Sequence, residues 1–372
     1  MKKSVMFLIE SMIVGGAERV LINIVNNLDP EQYDITVISV FRYSVYKNYN
    51  YTFIEALKPH IHYRHLVDNG VAWKYRLFNV LFNRCNKRLF HRLLIGLQYD
   101  VEIAFYEGLP TTFLSHSSNK SSKKIAWLHY GDAFANLTQR QKRSYLQEYS
   151  AYNVIVGVSD SVCQNFKERL TDAYPLTTCY NVLESDQIKK DALNFSVERG
   201  NLATFVSVGR LTQVKGYYRL LSVCKQLKDD GYQFRLWLVG EGEERGRLEE
   251  YIIDNQLSNV VTLWGNQSNP YPYVKAADWF VSSSYAESFS LVAVESMIIG
   301  TPVICTQCIC TKELLGDEMD ELIAENTEDG IYQAMKKVLD LPGLQRVYSE
   351  KVQRRSRAFD KKDLIKAVEG IL

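Results

Sequence analysis

The sequence predicts an α/β protein of two Rossmann-like domains, each a parallel sheet covered by helices, that face a central cleft. Three observations lead to this class. The chain has 372 residues, enough for two domains of about 150 residues each. Hydrophobic residues make up 46% of it, which supplies material for two cores. Short apolar runs alternate with segments of helical periodicity, which is the pattern of a parallel sheet with crossover helices.

Short apolar runs are the candidate strands. In the first half they lie at 4–9, 35–40, 101–105, 125–128 and 154–158, and in the second half at 204–208, 234–239, 260–263, 279–282 and 302–305. Apolar residues recurring every three or four positions predict helices over 20–28, 217–228, 243–255, 291–299 and 330–339. Since a polar stretch at 184–201 separates the two sets, we expect an N-terminal domain at 1–184, a C-terminal domain at 202–355, and a helix at 356–372 returning toward the N-terminal domain.

Composition and charge argue against several classes of protein. A net charge of +1 argues against nucleic-acid binding by the whole chain. The apolar runs are far shorter than the ~20 residues that a membrane-spanning helix needs. Lys2 and Lys3 precede an apolar run as in a signal peptide, but Glu10 interrupts it, so we expect a buried first strand. Seven cysteines, an odd number over a long chain, favour reduced thiols and a cytoplasmic protein.

Two glycine-containing loops follow predicted strands and suit phosphate binding. Gly15 and Gly16 precede a helix whose first amides could bind an anion, although a plain strand-to-helix turn is the alternative. Their spacing is not the G-x-G-x-x-G of dinucleotide folds. Arg210 and Lys215 lie in the loop 209–216, at the end of a strand where α/β sheets bind ligands. A forked guanidinium and a compact ammonium suit a diphosphate, and two surface cations are the alternative.

Two carboxylates lie seven residues apart in an apolar stretch. Glu287 follows a predicted strand, and Glu295 lies on the predicted helix after it. Burying a carboxylate among apolar residues is costly unless it has a partner. Both side chains could face one crevice and accept hydrogen bonds from sugar or ribose hydroxyls, while a capping or surface pair is the alternative.

In order and spacing, these motifs resemble those of retaining glycosyltransferases of family 4, which have the two-lobed GT-B fold, and in particular the type that builds bacterial surface polysaccharides. The resemblance covers nearly the whole chain. Ser288 and Ser290 stand where the family often has glycine, so hydroxyls would lie near the sugar. The matching segments are Gly15-Gly16-Ala17-Glu18, Gly209-Arg210 with Lys215-Gly216, Val239-Gly240-Glu241-Gly242, Ala277-Asp278, Glu287 with Glu295, and Gly300-Thr301-Pro302-Val303-Ile304.

The resemblance implies roles for individual residues. Arg210 and Lys215 would hold the donor diphosphate together with the Gly16 amide, and Glu295 would bind the ribose. Glu287 and the amides of 288–290 would hold the transferred sugar. His129 matches the family histidine that lies beside that sugar. The candidate catalytic residues are therefore Glu287, His129, Arg210 and Lys215, and the candidate donor-binding residues are Gly15, Gly16, Arg210, Lys215, Gly240, Ser288, Phe289, Ser290 and Glu295.

The implied activity is transfer of a hexose or N-acetylhexosamine from a nucleotide diphosphate sugar to a lipid-linked or surface glycan acceptor. UDP-sugar is the favoured donor and GDP-mannose the alternative. The resemblance implies neither a metal nor another cofactor. The rival hypotheses are a sugar-nucleotide epimerase or phosphorylase on the same scaffold, and a non-catalytic sugar-nucleotide-binding subunit of a polysaccharide assembly complex. Cys305, Cys308 and Cys310 could suggest zinc, but packing thiols are favoured because no fourth ligand is evident.

Residues 71–99 contain six cations and no acid, interleaved with large apolar side chains. On a helix they would sort into an apolar and a basic face, which is typical of a segment lying in a membrane interface. We therefore expect peripheral contact with an anionic membrane, on the inner face of the cytoplasmic membrane. A helix that packs on the sheet with its cations facing water is the alternative.

Overall fold

The structure is a computed structural model that describes residues 1–13, 15–43, 53–96, 98–131 and 134–372. The chain divides into two compact units, Met1–Val182 with Lys362–Leu372, and Leu183–Lys361. Each unit contains one parallel sheet with helices on it, so the prediction of two Rossmann-like domains is confirmed. None of the helices in the described part of the chain combines the length and apolar character that crossing a bilayer requires.

The first unit has a seven-stranded parallel sheet in the order β3-β2-β1-β4-β5-β6-β7. Its strands are β1 (Lys3–Ile9), β2 (Tyr33–Phe41), β3 (His62–Val67), β4 (Val101–Ala104), β5 (Lys123–Leu128), β6 (Val154–Gly157) and β7 (Leu176–Thr178). Its helices are α1 (Gly16–Asn27), α2 (Ala72–Arg84), α3 (Lys87–Ile95), α4 (Leu109–Ser115), α5 (Gln139–Tyr149) and α6 (Asp160–Arg169).

The second unit has a six-stranded parallel sheet in the order β10-β9-β8-β11-β12-β13. Its strands are β8 (Ala203–Val208), β9 (Phe234–Val239), β10 (Val261–Gly265), β11 (Trp279–Ser282), β12 (Val303–Thr306) and β13 (Ile323–Ala324). Its helices are α7 (Ser185–Asp191), α8 (Tyr217–Asp229), α9 (Arg245–Asp254), α10 (Tyr271–Ala276), α11 (Leu291–Ile299), α12 (Thr311–Leu315), α13 (Glu328–Asp340) and α14 (Leu344–Ser356). The last helix, α15 (Lys361–Ile371), follows.

Both sheets reverse their strand order at their first strand, which lies between β2 and β4 in one unit and between β9 and β11 in the other. At such a switch point the loops after the two neighbouring strands diverge and leave a crevice at the carboxyl edge of the sheet. The central strands are continuous apolar runs because helices cover both of their faces, and Val5, Phe7 and Leu8 of β1 are fully buried. The fold therefore places the loops after β8 and β11 side by side.

The structure differs from the predicted element list at the sheet edges. β3, β7 and β13 were not predicted, because β3 and β7 are half-exposed edge strands without an apolar run and β13 has only two residues. The predicted segment 71–99 is also two helices, since the Asn86 side chain accepts hydrogen bonds from Arg88 N and Leu89 N and starts α3. Leu97 of that segment lies outside the described residues.

The unit boundaries also differ from the predicted ones. The stretch 184–201, expected to separate the domains, contains α7, which packs against α10 and α11 within the second unit. At the other end, α14 belongs to the second unit and most of α15 to the first. There, Lys3 Nζ and Lys123 Nζ donate to the carbonyl oxygens of Leu372 and Ile371 at 3.1 and 2.6 Å.

Candidate active site

A lysine and a glutamate from the two loops beside the switch point of the second sheet form an ion pair. Lys215 follows β8 and Glu287 follows β11, and Lys215 Nζ lies 2.6 Å from Glu287 Oε1. Ser284 Oγ donates to the same carboxylate oxygen at 2.7 Å. The Lys215 side chain is 26% exposed and that of Glu287 14%, so water screens the pair only in part. An ammonium group has three N–H donors, which leaves it capacity for a second anionic partner.

The backbone around Lys215 depends on Gly216. This residue has φ +66° at the start of α8, and a Cβ there would overlap the carbonyl oxygen of Ser283. The contact brings the loop after β8 directly onto the loop after β11, where Ser283 Oγ donates to the Lys215 carbonyl at 2.9 Å. Gly240 has a similar role one strand away, because a Cβ there would overlap the Gly209 carbonyl oxygen. Glycine is therefore required for close approach at both positions.

Glu295 has a different set of contacts from Glu287. It lies on α11, is only 4% exposed, and accepts a hydrogen bond from the Tyr271 hydroxyl at 3.1 Å. Tyr271, the first residue of α10, is itself buried. The two carboxylates thus belong to one loop–helix segment but have separate partners.

Phe289 and Ser290, which lie between the two carboxylates in the sequence, have different environments. The Phe289 ring packs against Phe359 in the core, 6.0 Å between centroids, so only its backbone could reach a ligand. Ser290 precedes α11, and its buried hydroxyl has no hydrogen-bond partner among the described residues. It lines a cavity of about 10 Å³ beside Glu287, which has room for about one water molecule. A second cavity of the same size is lined by Lys215 and Glu287 together with neighbouring residues of β8 and β11.

The cysteines near Glu287 pack against its loop. Cys308 Sγ donates to the Ser284 carbonyl at 3.5 Å, and Cys310 Sγ to the Glu287 carbonyl at 3.4 Å. Burial raises the pKa of the Cys305 and Cys310 thiols well above the usual value. Within the described ranges, no three His, Cys, Asp or Glu side chains are grouped as metal ligands would be.

The other predicted residues are divided between the two units, with Arg210 in the second unit and Gly15, Gly16 and His129 in the first. Arg210 is an exposed residue of the loop after β8. In the first unit, α1 begins at Gly16 and Gly15 is its N-cap residue. His129 follows β5, and its ring contacts those of Phe105 and Tyr106 at 4.8 and 5.7 Å between centroids. Burial lowers the pKa of His129 to about 3, so the imidazole is neutral at physiological pH.

Comparison with known proteins places the chain among known folds. Residues 189–355 match the family model described as glycosyl transferases group 1. HepE of Anabaena in complex with UDP has a TM-score of 0.78 at 18% identity, covering 100% of this chain and 99% of that chain. A glycosyltransferase of Rickettsia africae has a TM-score of 0.77 at 17% identity, covering 100% and 97%. This chain has the GT-B fold. Its predicted fold class is therefore confirmed.

Curated relatives of this GT-B chain match it over part of its length. One is the N-acetylgalactosamine-N,N'-diacetylbacillosaminyl-diphospho-undecaprenol 4-alpha-N-acetylgalactosaminyltransferase of Campylobacter jejuni, 32% identical over 184 residues, 49% of each chain. Another is the lipopolysaccharide core biosynthesis glycosyltransferase LpsD of Rhizobium meliloti, 31% identical over 140 residues, 37% of this chain and 40% of LpsD. The chain thus spans half or less of the length of these relatives in the matched stretches. The matched stretches are thus similar to a family of glycosyl transferases and to proteins named for lipopolysaccharide core or colanic acid biosynthesis.

The GT-B chain contains two supporting residues that the sequence analysis missed. Arg219 of α8 is 2% exposed and donates to the carbonyl oxygens of Ser283, at 2.6 and 2.9 Å, and Ser284, at 2.9 Å. It also donates to Asn326 Oδ1 at 2.7 Å, and its guanidinium stacks 3.8 Å from the Tyr285 ring. Asn326 Nδ2 in turn donates to the Tyr285 carbonyl at 2.9 Å. Together they hold the Glu287 loop. No local sequence signal marks them, since 107 residues separate the two.

Proposed function

We propose that this chain is a retaining glycosyltransferase of family 4. It transfers a hexose or N-acetylhexosamine from a nucleotide diphosphate sugar to a lipid-linked or surface glycan acceptor. The observation that carries the proposal is the Lys215–Glu287 pair at the switch point of the second sheet. It combines a cation suited to a diphosphate with a carboxylate suited to sugar hydroxyls at the sheet edge where such folds bind ligands. UDP-sugar is the favoured donor, since HepE was solved with UDP.

The roles of the site residues follow from their chemistry. Lys215 and the exposed Arg210 hold the diphosphate, Glu287 and the backbone of 288–290 hold the transferred sugar, and Glu295 accepts from the ribose hydroxyls. Gly240 of the second unit and Gly15 and Gly16 of the first are further proposed donor-binding residues, and neutral His129 of the first unit is a further proposed catalytic residue. Lys215, Arg210 and the first amides of α11 supply positive charge to the departing diphosphate, in the manner of a preorganised electrostatic site.

The proposed reaction retains the anomeric configuration. The bond between the anomeric carbon and the diphosphate oxygen breaks, and the acceptor oxygen bonds to that carbon on the same face. The acceptor proton passes to the departing phosphate, so no protein nucleophile is assigned. This scheme uses no metal, because the cationic side chains take the role that a divalent ion would have.

The decisive experiment is a turnover assay. UDP-sugars are screened by thermal shift, and stabilising donors are then incubated with undecaprenyl-diphosphate-linked acceptors. We expect a glycosylated lipid and free UDP. Interconversion of the sugar nucleotide without acceptor would favour the epimerase, turnover with inorganic phosphate the phosphorylase, and binding without turnover the non-catalytic subunit.

Chelation tests the metal-free scheme. After exhaustive dialysis against EDTA, transfer activity is expected to stay within about twofold of the untreated enzyme, since Lys215 and Arg210 stabilise the leaving group. The measurement is the initial rate with and without EDTA. Complete loss that Mg²⁺ or Mn²⁺ restores would contradict the scheme.

We also propose that α2 and α3 contact an anionic membrane and that the enzyme works on the inner face of the cytoplasmic membrane. Phe78, Phe82 and Phe90 are buried beneath the two helices. Side chains on the outer face include Trp73, 62% exposed, and Leu93, 73% exposed. Leu77, Val80 and Leu89 are exposed as well, and the exposed cations Lys74, Arg76, Arg84, Arg88 and Arg92 lie on the same two helices with half-buried Lys87. Exposed apolar side chains among cations are typical of an interfacial surface.

Sedimentation with vesicles tests this contact. The wild type is expected to pellet with vesicles containing phosphatidylglycerol and to stay in solution with phosphatidylcholine alone. Removing four of the cations should weaken vesicle binding at least about tenfold, because each cation near an anionic leaflet contributes to the free energy of binding. The variant carries Arg84→Gln, Lys87→Gln, Arg88→Gln and Arg92→Gln.

A matched control removes the same charge elsewhere. Four exposed lysines of the second unit replaced by glutamine lower the net charge equally and should leave vesicle binding unchanged. Equal loss of vesicle binding in both variants would mean that net charge alone determines binding. That result would refute a local contact through α2 and α3. The control lysines are Lys189, Lys190, Lys275 and Lys312.

A further inference from the structure

A carboxylate in the first unit lies beside His129. Glu107 follows β4 and His129 follows β5, and these strands are paired in parallel, so both residues lie at the carboxyl edge of the sheet. Glu107 Oε1 accepts hydrogen bonds from the backbone N–H groups of His129 and Tyr130, at 2.7 and 2.8 Å. One carboxylate oxygen thus holds the backbone of the His129 loop.

The second oxygen of this carboxylate, Oε2, differs from Oε1 in its hydrogen bonding. Glu107 Oε2 is buried and has no hydrogen-bond partner among the residues that the structure describes. The same holds for His129 Nε2. A buried carboxylate oxygen without a donor is costly, and such atoms in native structures call for a ligand, a water molecule or a functional role.

Two other carboxyl groups of this unit have buried oxygens without a partner in the described residues, Glu102 and Glu148. Glu102 lies within β4, inside the sheet, and Glu148 lies on α5, where the Thr112 hydroxyl donates to its other oxygen at 3.1 Å. Only Glu107 of these three follows the carboxyl end of a strand. That is where parallel α/β sheets bind ligands.

We propose that Glu107 anchors the His129 loop through Oε1 and accepts a hydrogen bond through Oε2 from a hydroxyl of a substrate sugar bound at the carboxyl edge of the first unit's sheet. The inference rests on the proposed function, because it supplies a sugar hydroxyl as the missing donor. Ionised carboxylates accept strongly from hydroxyls, and the geometry leaves one oxygen for this contact. The Phe105 and Tyr106 rings pack against the His129 ring and keep the neighbouring loop in place.

The protonation state of Glu107 provides a readout that a purely structural role would lack. Burial raises its pKa to about 7, so the ionised, accepting form is lost as the pH falls through neutrality. His129 stays neutral in this range because burial lowers its pKa to about 3. The other titratable groups around this carboxyl are the phenols of Tyr106, Tyr130 and Tyr149 and, beyond Tyr106, the Glu18 carboxyl.

The test compares three variants of the full chain by transfer kinetics. Glu107→Gln keeps an oxygen for the two backbone donors but replaces the second acceptor with an amide donor, and kcat/KM is expected to fall about 10- to 100-fold. Glu107→Ala removes both contacts and should be lower still. Glu148→Gln, which changes another carboxyl group with a buried oxygen in the same unit, should match the wild type. Melting curves by circular dichroism establish that each variant is folded.

The pH profile of the wild type is the second readout and needs no variant. Its kcat/KM should decline below about pH 7, and this limb should be absent from Glu107→Gln. Unchanged kinetics in Glu107→Gln, or a wild-type profile flat through neutrality, overturns the proposal. Absence of transfer by the wild type refutes the proposed function instead, so the two failures are distinct.

Discussion

Replacing Lys215 by alanine is expected to reduce transfer severely. The substitution removes the cation 2.6 Å from Glu287 and, by the proposed function, one charge-assisted hydrogen bond to the diphosphate. Such a bond contributes about 1.5–3 kcal/mol, which corresponds to roughly a 10- to 150-fold loss in kcat/KM. The effect should exceed that of Arg210→Ala, because Arg210 is exposed and water screens its charge more. Initial rates at limiting donor measure both.

Lys225→Ala is the matched control for this experiment. Lys225 lies on α8 and pairs with Asp229 on the surface, so its loss changes the net charge without touching the site. The control should retain wild-type rates. Near-normal kinetics in folded Lys215→Ala and Arg210→Ala would mean that the diphosphate binds elsewhere.

The two carboxylates are expected to separate nucleotide binding from transfer. In Glu295→Gln the amide oxygen can still accept from the Tyr271 hydroxyl, so α11 stays in place while acceptor strength toward ribose falls. Calorimetry should show the dissociation constant for UDP rising about tenfold or more, because a hydrogen bond to a charged group is replaced by a weaker one to a neutral amide. Glu287→Gln should leave UDP binding nearly unchanged and lower kcat at least about tenfold, since its proposed partner is the sugar.

Glu250→Gln serves as the reference for both variants. Glu250 is an exposed residue of α9, and its loss should alter neither UDP binding nor transfer. The reverse pattern, with Glu287→Gln weakening UDP binding and Glu295→Gln sparing it, would exchange the two assignments.

The central architecture of this chain could be predicted from the sequence. Buried parallel strands must be apolar along their whole length, so runs such as 4–9 and 234–239 identify β1 and β9. The helix over Leu291–Ile299 matches its predicted bounds because an apolar segment is followed by Gly300 at φ +96°. The edge strands of the sheets could not be predicted in this way, since strands such as β3 are half-exposed and contain no continuous apolar run.

The candidate active site, like the fold, was determined partly by the local sequence and partly by the tertiary structure. The sequence by itself determined which charged residues follow strands, because Lys215 and Glu287 each lie directly after an apolar run. Only the tertiary structure decided that these two meet: they are 72 residues apart, and the pairing of β8 with β11 brings their loops together. Glu107 carried a comparable local signal, an acid just after the run 101–105, but its contact with the His129 backbone depends on the pairing of β4 with β5. Apolar periodicity records the burial of a segment, whereas the neighbours of a polar side chain are set by strand order, which no local pattern encodes.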